Sequence, residues 1–484
     1  MFWDVKEWWL KMSNYIPTIG LEVHCELKSN SKNFSSSKNG LGDVNTNLSV
    51  VDIGYPGVLP CVNKEAVRAS IMVALALNCK IPKILTFDRK NYYYPDLPKG
   101  YQITQFGSPI GTDGFVMISD AGVVKKIFIH DTHLEEDTAN MDHLSNYSLI
   151  DYNRAGVPLL ETVTEPCISS SREAILYLEA LRNIFLYLDV SDARADLGQI
   201  RVDVNVSLRK EEDSELGTRV EIKNINSFTT VREVIDVEIE RQRMILEDGG
   251  VIEQETRRYD ESNKTTVFMR GKADAVDYKY YTEPNIPPIR LRDDFINEIS
   301  SVMPILEFER KCKYIKEYGI SEVDASTLTK DKRLSDYFES IVSSGASPRE
   351  TANILVGFLL GYLNKNFKSI DDVTVTGSDF SVIIKMMCDG KISNKQVRDI
   401  FTKALDDNIN VLDVAKEEGT QISDKEEIRG IVCEVFRDNP KVIDDYRAGK
   451  NVNGFIMGLI MKKTGGKVNP ATTNVVLREE LDKL

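Results

Sequence analysis

What this chain of 484 residues is short of narrows its class before any motif is read. Paired cysteines are missing. The seven present (Cys25, Cys61, Cys79, Cys167, Cys312, Cys388 and Cys433) are scattered, odd in number and nowhere spaced as a Cys-x-x-Cys knuckle. A disulfide scaffold is thereby excluded, and a thiolate zinc knuckle has no ligands to draw on. No apolar run approaches the roughly 18 residues that a spanning helix needs, so no membrane span is expected. No signal-peptide pattern appears either, and with unpaired cysteines this points to a reducing cytoplasm. Positive charge is in deficit: 61 Lys and Arg against 75 Asp and Glu leave a net −14. That argues against indiscriminate nucleic-acid binding, while a local basic surface stays open because phosphate contacts depend on where charges sit. Tryptophan is lacking beyond Trp9, and Trp3, Trp8 and Trp9 fall in a segment, 1–14, read as a disordered extension without a structural role.

What is there is ordinary globular material, 42% apolar and 28% charged, in a chain long enough for two or three domains. Ile19, Leu21, Val23, Cys25 and Leu27 alternate with Gly20, Glu22, His24 and Glu26. Period two predicts a strand with one face in a core. The other face then carries Glu, His and Glu ~7 Å apart, either a solvated face or a set of metal ligands. Ser29 to Asn47 reads as a loop, and Asn63 to Leu77 as a helix with Ala66, Ala69, Val73 and Leu77 on its buried side. The stretch Phe87 to Gln102 interleaves four tyrosines with Arg89, Lys90 and Lys99 on a proline-stiffened loop. Such a loop either stacks a base and grips phosphate or is a plain aromatic surface.

Phe115 to His130 is expected to form a hairpin that empties into the acidic stretch Asp131 to Thr138. A strand carrying Glu161 follows, then a helix opened by Ser169 to Ser171. Ile200 to Leu208 and Val220 to Ile222 alternate and should pair antiparallel. Their charged faces (Arg201, Asp203, Asn205; Glu221, Lys223) suit a solvated surface or the floor of a cleft equally. The proline-broken stretch Asp277 to Pro288 marks a boundary, and helices dominate beyond Leu291. A last unit runs from Asn408, with a capping box at Ser423 and Glu426 and helices opened at Pro440 and Pro470. Lys462, Lys463 and Lys467 surround Gly465 and Gly466 there, as a solvated turn or a nucleic-acid contact.

Taken in order, Ile19-Gly-Leu-Glu-Val-His24, Tyr94-Pro-Asp-Leu-Pro-Lys-Gly-Tyr-Gln102 and His133-Leu-Glu-Glu-Asp137 begin a series of motifs. Asp151-Tyr-Asn-Arg-Ala-Gly-Val-Pro-Leu-Leu-Glu161, Glu221-Ile-Lys-Asn-Ile-Asn-Ser-Phe228, Glu255-Thr-Arg-Arg-Tyr-Asp260 and Tyr278-Lys-Tyr-Tyr-Thr-Glu-Pro284 continue it. Together they resemble the B-subunit family of the aspartyl/glutamyl-tRNA(Asn/Gln) amidotransferases over residues 15–484. The resemblance implies an α+β fold: a β-rich, glutamine-synthetase-like cradle (15–292), an all-helical domain (293–407) and a small helical tail (408–484). It implies ATP-dependent phosphorylation of the side-chain carboxylate of Asp or Glu carried on a mischarged tRNA(Asn) or tRNA(Gln), then amidation with ammonia. The partners implied, in a heterotrimer, are the amidase (the A-subunit) and the small C-subunit. No Gly-x-Ser-x-Gly or other evident amidase nucleophile appears, so glutamine hydrolysis is expected to lie with the partner.

Residue by residue, the resemblance implies a Mg²⁺ site, with Mn²⁺ also admissible, at Glu22, His24, Glu136 and Glu161. Lys90 and Lys99 would act on the phosphates or the acyl phosphate as catalytic cations. Tyr93, Tyr94, Arg201, Asp203, Asn205, Glu221 and Lys223 would line the substrate cleft, and Lys462, Lys463 and Lys467 would meet tRNA. The cysteines that some members use for structural zinc are absent around Ser35-Ser-Ser37, so no zinc is expected. A free-standing ligase on a small carboxylate and a non-catalytic RNA-binding scaffold are the rival readings.

Overall fold

The computed structural model describes residues 14–483 except 121, 214, 272–276, 420, 423, 448, 449 and 451, and not the side chain of Asn224. Of the 1–14 extension, 1–13 therefore lie outside the described residues. The chain divides into two compact units, Met1–Glu307 and Phe308–Leu484.

The first unit is built on an eight-stranded sheet. Its strands, in chain order, are β1 (Tyr15–Glu26), β4 (Gly111–Asp120), β5 (Val123–Glu136), β6 (Pro158–Thr164), β7 (Ile200–Lys210), β8 (Val220–Ile225), β9 (Glu255–Asp260) and β10 (Thr265–Gly271). Two short strands, β2 (Asp88–Asn91) and β3 (Tyr101–Thr104), pair in a separate small sheet with β11 (Tyr281–Thr282). The large sheet runs β10-β9-β8-β7-β1-β6-β5-β4, antiparallel throughout except for the parallel pair β8–β9. β1 is thus a central strand, bonded to β7 on one side and β6 on the other. Its alternation decides the fold locally: Ile19, Leu21, Val23 and Cys25 are wholly buried. Each of the three aliphatic side chains stabilises by about 1.5–3 kcal/mol, and a one-residue slip would bring Glu22, His24 and Glu26 into the core instead.

Three helices cover the apolar side: α1 (Lys64–Ala76), α2 (Ser171–Tyr187) and α3 (Phe228–Glu247). Asn63 caps α1, its side-chain oxygen accepting from the N–H groups of Glu65 and Ala66. Ser170 does the same for α2 through the N–H of Glu173. The helix Asp293–Ser301 also belongs here, since it packs on α1 and buries Ile299, so the first unit runs past the residue-292 boundary read from sequence.

The hairpin expected to end at His130 does not end there. β5 continues to Glu136, and its register against β6 shifts between Ile129 and Asp131. Ile127 and Ile129 face the core before this bulge, whereas Thr132 and Leu134 do so after it. The extra residue reverses the parity of the strand.

The second unit is helical and carries two cores. One gathers Tyr314 to Ala415, and it includes Val411, Val414 and Ala415 from the helix Val411–Glu418, which the sequence reading assigns to the tail. The other gathers Ile428 to Leu481. Asp424 caps the helix Lys425–Asp438; Ser423, the cap expected from sequence, lies outside the described residues. Pro470 opens its helix with Asn469 as cap. Among the described residues no helix is long and apolar enough to cross a membrane.

Candidate functional site

The open, polar face of the sheet brings distant residues into one row. Across β7, β1, β6 and β5, Arg201 is the register partner of His24, His24 of Glu161, and Glu161 of His133. His24 Nε2 lies 3.2 Å from Glu161 Oε2 and 3.8 Å from Glu135 Oε1. His133 Nε2 meets the same Glu161 oxygen at 3.1 Å, and its Nδ1 is 2.7 Å from Asp131. One ligand atom each from His24, Glu135 and Glu161 falls within 4.8 Å of the other two.

Of the four expected ligands the structure brings His24 and Glu161 together and places Glu136 and Glu22 elsewhere. Glu136 is not in the row; Glu135 is. The bulge in β5 turns the odd-numbered residues His133 and Glu135 to the polar face and sends Glu136 to the other. There Glu136 is 2% exposed and accepts from Lys99 Nζ at 2.5 and 2.6 Å and from the Ile103 N–H at 2.9 Å. Lys99 is thus engaged in a buried ion pair and is not brought to the row with Lys90.

A second acidic group adjoins the first. Glu22 is the register partner of Asp203, and Asn205 that of Glu221. Glu22, Asp203 and Glu221 place carboxylate oxygens within 4.8 Å of one another. Lys223 Nζ lies 3.0 Å from Asp203 and 2.9 Å from Glu221, and Asn205 donates to Glu22 at 2.9 Å. Glu22 thus stands with these residues and not with His24. Arg201 is drawn to Asp137 at 2.9 Å, a buried carboxylate that Arg154 also approaches. Ion pairs and a hydrogen bond tie these polar strand faces together.

Burial and charge set the protonation of the row. Burial works to raise the Glu161 carboxyl, but His24 and His133 on either side hold it well below the usual glutamate range. Glu135 goes the other way, raised by its burial and by Glu161. Burial disfavours a charged His24, yet Glu161, Glu135 and Asp203 push its pKa up to about 9. Lys90 is likewise kept charged against its burial, with Glu135 and Glu161 acting on it.

A half-buried imidazole nitrogen and two carboxylates suit a divalent cation that prefers oxygen and keeps some waters, so the donor set fits Mg²⁺ or Mn²⁺. Because His24 must give up its proton to coordinate, Mn²⁺ affinity is expected to rise with pH until about 9. The slope is about tenfold per pH unit for one displaced proton, read by calorimetry of the chain at pH 7 and 8. A flat profile would remove His24 from the ligand set.

Of the other expected residues, Tyr93 is almost wholly exposed and Tyr94 half exposed. The tyrosine that turns inward is Tyr92, edge-on to Tyr278 with centroids 5.8 Å apart. In the tail, Lys463 is bound by Glu434 and Asp438, Lys467 reaches Glu418, and Lys462 is exposed. The structure adds Glu135, His133 and Asp131 to the row, all of them from the acidic stretch singled out in the sequence.

A sheet whose polar face gathers a histidine and glutamates from three strands, followed by a helical unit, defines a catalytic cradle joined to an all-helical region. The GatB/GatE catalytic domain family matches residues 17–297, and the GatB domain family matches 336–481. Curated relatives in Halalkalibacterium halodurans and Geobacillus kaustophilus are each 44% identical over 474 residues, 97% of this chain and the whole of each relative. One in Oceanobacillus iheyensis is 44% identical over 473 residues, 97% of this chain and 99% of its own. All three are named as the B-subunit of aspartyl/glutamyl-tRNA(Asn/Gln) amidotransferase. The chain belongs to that B-subunit family, which makes it one component of a multi-subunit amidotransferase of the ligase class.

Proposed function

We propose that this chain activates the side-chain carboxylate of Asp or Glu esterified to tRNA(Asn) or tRNA(Gln), using ATP, and hosts its amidation. The observation that carries the reading is the convergence of His24, Glu135 and Glu161 on the open face of the sheet. A carboxylate is a weak electrophile with a poor leaving group, and conversion to an acyl phosphate divides one hard step into two. The carboxylate oxygen attacks the γ-phosphorus and ADP departs; ammonia then attacks the carbonyl carbon, phosphate leaves and a proton is released. A cation held by His24, Glu135 and Glu161 would neutralise phosphate charge during transfer. Lys90 adds a fixed positive charge beside that group, and Lys223 and Arg201, each tied to carboxylates, hold the cleft floor in one geometry. Such transfer depends on alignment and charge more than on a nucleophile from the protein.

Ammonia would come from the amidase partner, and a small third protein would complete the heterotrimer in the cytoplasm. Hydroxylamine tests the activation step: the assembled enzyme given ATP and Glu-tRNA(Gln) without glutamine should form the hydroxamate on tRNA. Failure to trap any ATP-dependent product would refute the reading. Removing residues 425–484, the helices around the Ile428 core, should raise KM for the charged tRNA at least tenfold while ATP is used normally. An unchanged KM would favour a ligase acting on a small free carboxylate.

A further inference from the structure

A wall of aromatic rings stands against Lys90, and the activation and amidation steps make no use of it. Phe106 stacks on Tyr280 with centroids 4.2 Å apart and planes inclined by 17°. Tyr280 meets Tyr278 edge-on at 6.1 Å, and Tyr278 meets Tyr92. Lys90 Nζ lies 5.0 Å from the Tyr278 centroid. Glu135 and Glu161 act on the Tyr280 phenol as they do on Lys90, so the wall lies within electrostatic reach of the row.

The backbone beneath these rings is tied down. β11 pairs with β2, and Asn91 donates to the carbonyls of Tyr278 and Lys279, both at 2.8 Å. Buried Glu283 takes both arms of Arg89. Asp88 Oδ2 accepts from the N–H groups of Phe106 and Gly107 at 3.0 and 2.8 Å, fixing the loop that carries the outermost ring. Yet that ring is 67% exposed and Tyr280 is 37% exposed. Inward packing is accomplished by Tyr92 and Tyr278. Phe106 and Tyr280 are positioned firmly and left facing water, the arrangement of a stacking platform rather than a core.

We propose that the stacked pair of Phe106 and Tyr280 offers its outer ring face to an adenine base, with Lys90, against the neighbouring Tyr278, leading the attached phosphate toward His24, Glu135 and Glu161. This rests on the activation reading above, whose two substrates both carry adenine: ATP, and the terminal adenosine of the charged tRNA. A ring face accepts either, and the cation beside it suits the phosphate of either.

In the assembled enzyme, Phe106→Ala and Tyr280→Ala should each raise one KM roughly tenfold or more, the loss that removal of a base–aromatic stack brings. A rise in KM for ATP assigns the base to the nucleotide; a rise in KM for the charged tRNA assigns it to the acceptor end. Phe106→Trp should keep the unaltered KM, and glutamine hydrolysis should be untouched. If neither KM moves by more than twofold, the assignment is wrong. A direct readout separates this from failure of the activation reading. The Phe106→Trp chain, compared with the unaltered one, should show fluorescence quenched saturably by AMP. Absence of that quenching overturns the stacking site whether or not acyl phosphate is formed.

Discussion

Replacing Glu161 by Gln is expected to abolish tRNA-dependent ADP formation by the assembled enzyme while leaving the fold intact. Glu161 is the hub of the polar row, one oxygen serving His24 at 3.2 Å and His133 at 3.1 Å. Disturbing a partner of a metal ligand already costs about 10–100-fold, so removal of a ligand charge should exceed 100-fold in kcat. The substitution is nearly isosteric, and the two imidazoles whose protons Glu161 retains can give them up once its charge is gone. Thermal stability should therefore fall by only a few degrees, and the lost activity cannot be assigned to unfolding. Glutamine hydrolysis by the partner is the internal control. Turnover that survives in Glu161→Gln would favour the non-catalytic scaffold.

Glu136→Gln should give the opposite pattern, a stability defect first and an activity defect only through it. Glu136 and Lys99 have side chains 2% and 8% exposed. Taking the charge from one partner of such a pair strands the other in a poorly solvated place, which typically costs about 3–5 kcal/mol. The effect should appear as a lowered unfolding midpoint in urea with an unchanged slope. Removing the other charge as well, in Lys99→Met/Glu136→Gln, should recover part of that loss, because no lone charge remains buried. Equal loss in the single and double variants would show that the pair's charge is not what matters. The contrast between adjacent glutamates is the sharpest test of which one faces the substrate.

Much of this was legible in the sequence because one side of a strand was apolar and the other was not. The period-two pattern of β1 placed Glu22, His24 and Glu26 together, and the patterns of β7 and β8 did the same for Asp203, Asn205 and Glu221. Helix starts at Ser170 and Pro470 followed from capping and first-turn chemistry, and the helix after Asn63 from its apolar spacing. The choice between Glu135 and Glu136 did not, because a bulge between Ile129 and Asp131 leaves no mark in Phe128-Ile-His-Asp-Thr-His-Leu-Glu-Glu136 beyond a run whose alternation can be counted either way. Nor could Lys99 be seen to be neutralised, since its partner is 37 residues away. The aromatic wall joins Tyr92 and Phe106 to residues 278–280 through tertiary packing, which no local pattern announces.

The tandem glutamates of β5 serve its two faces in different ways. A single peptide unit separates a carboxylate that stands with His24 and Glu161 from one clamped to Lys99 on the reverse side of the strand. The Lys99–Glu136 ion pair therefore anchors the segment of β5 that presents Glu135 to His24.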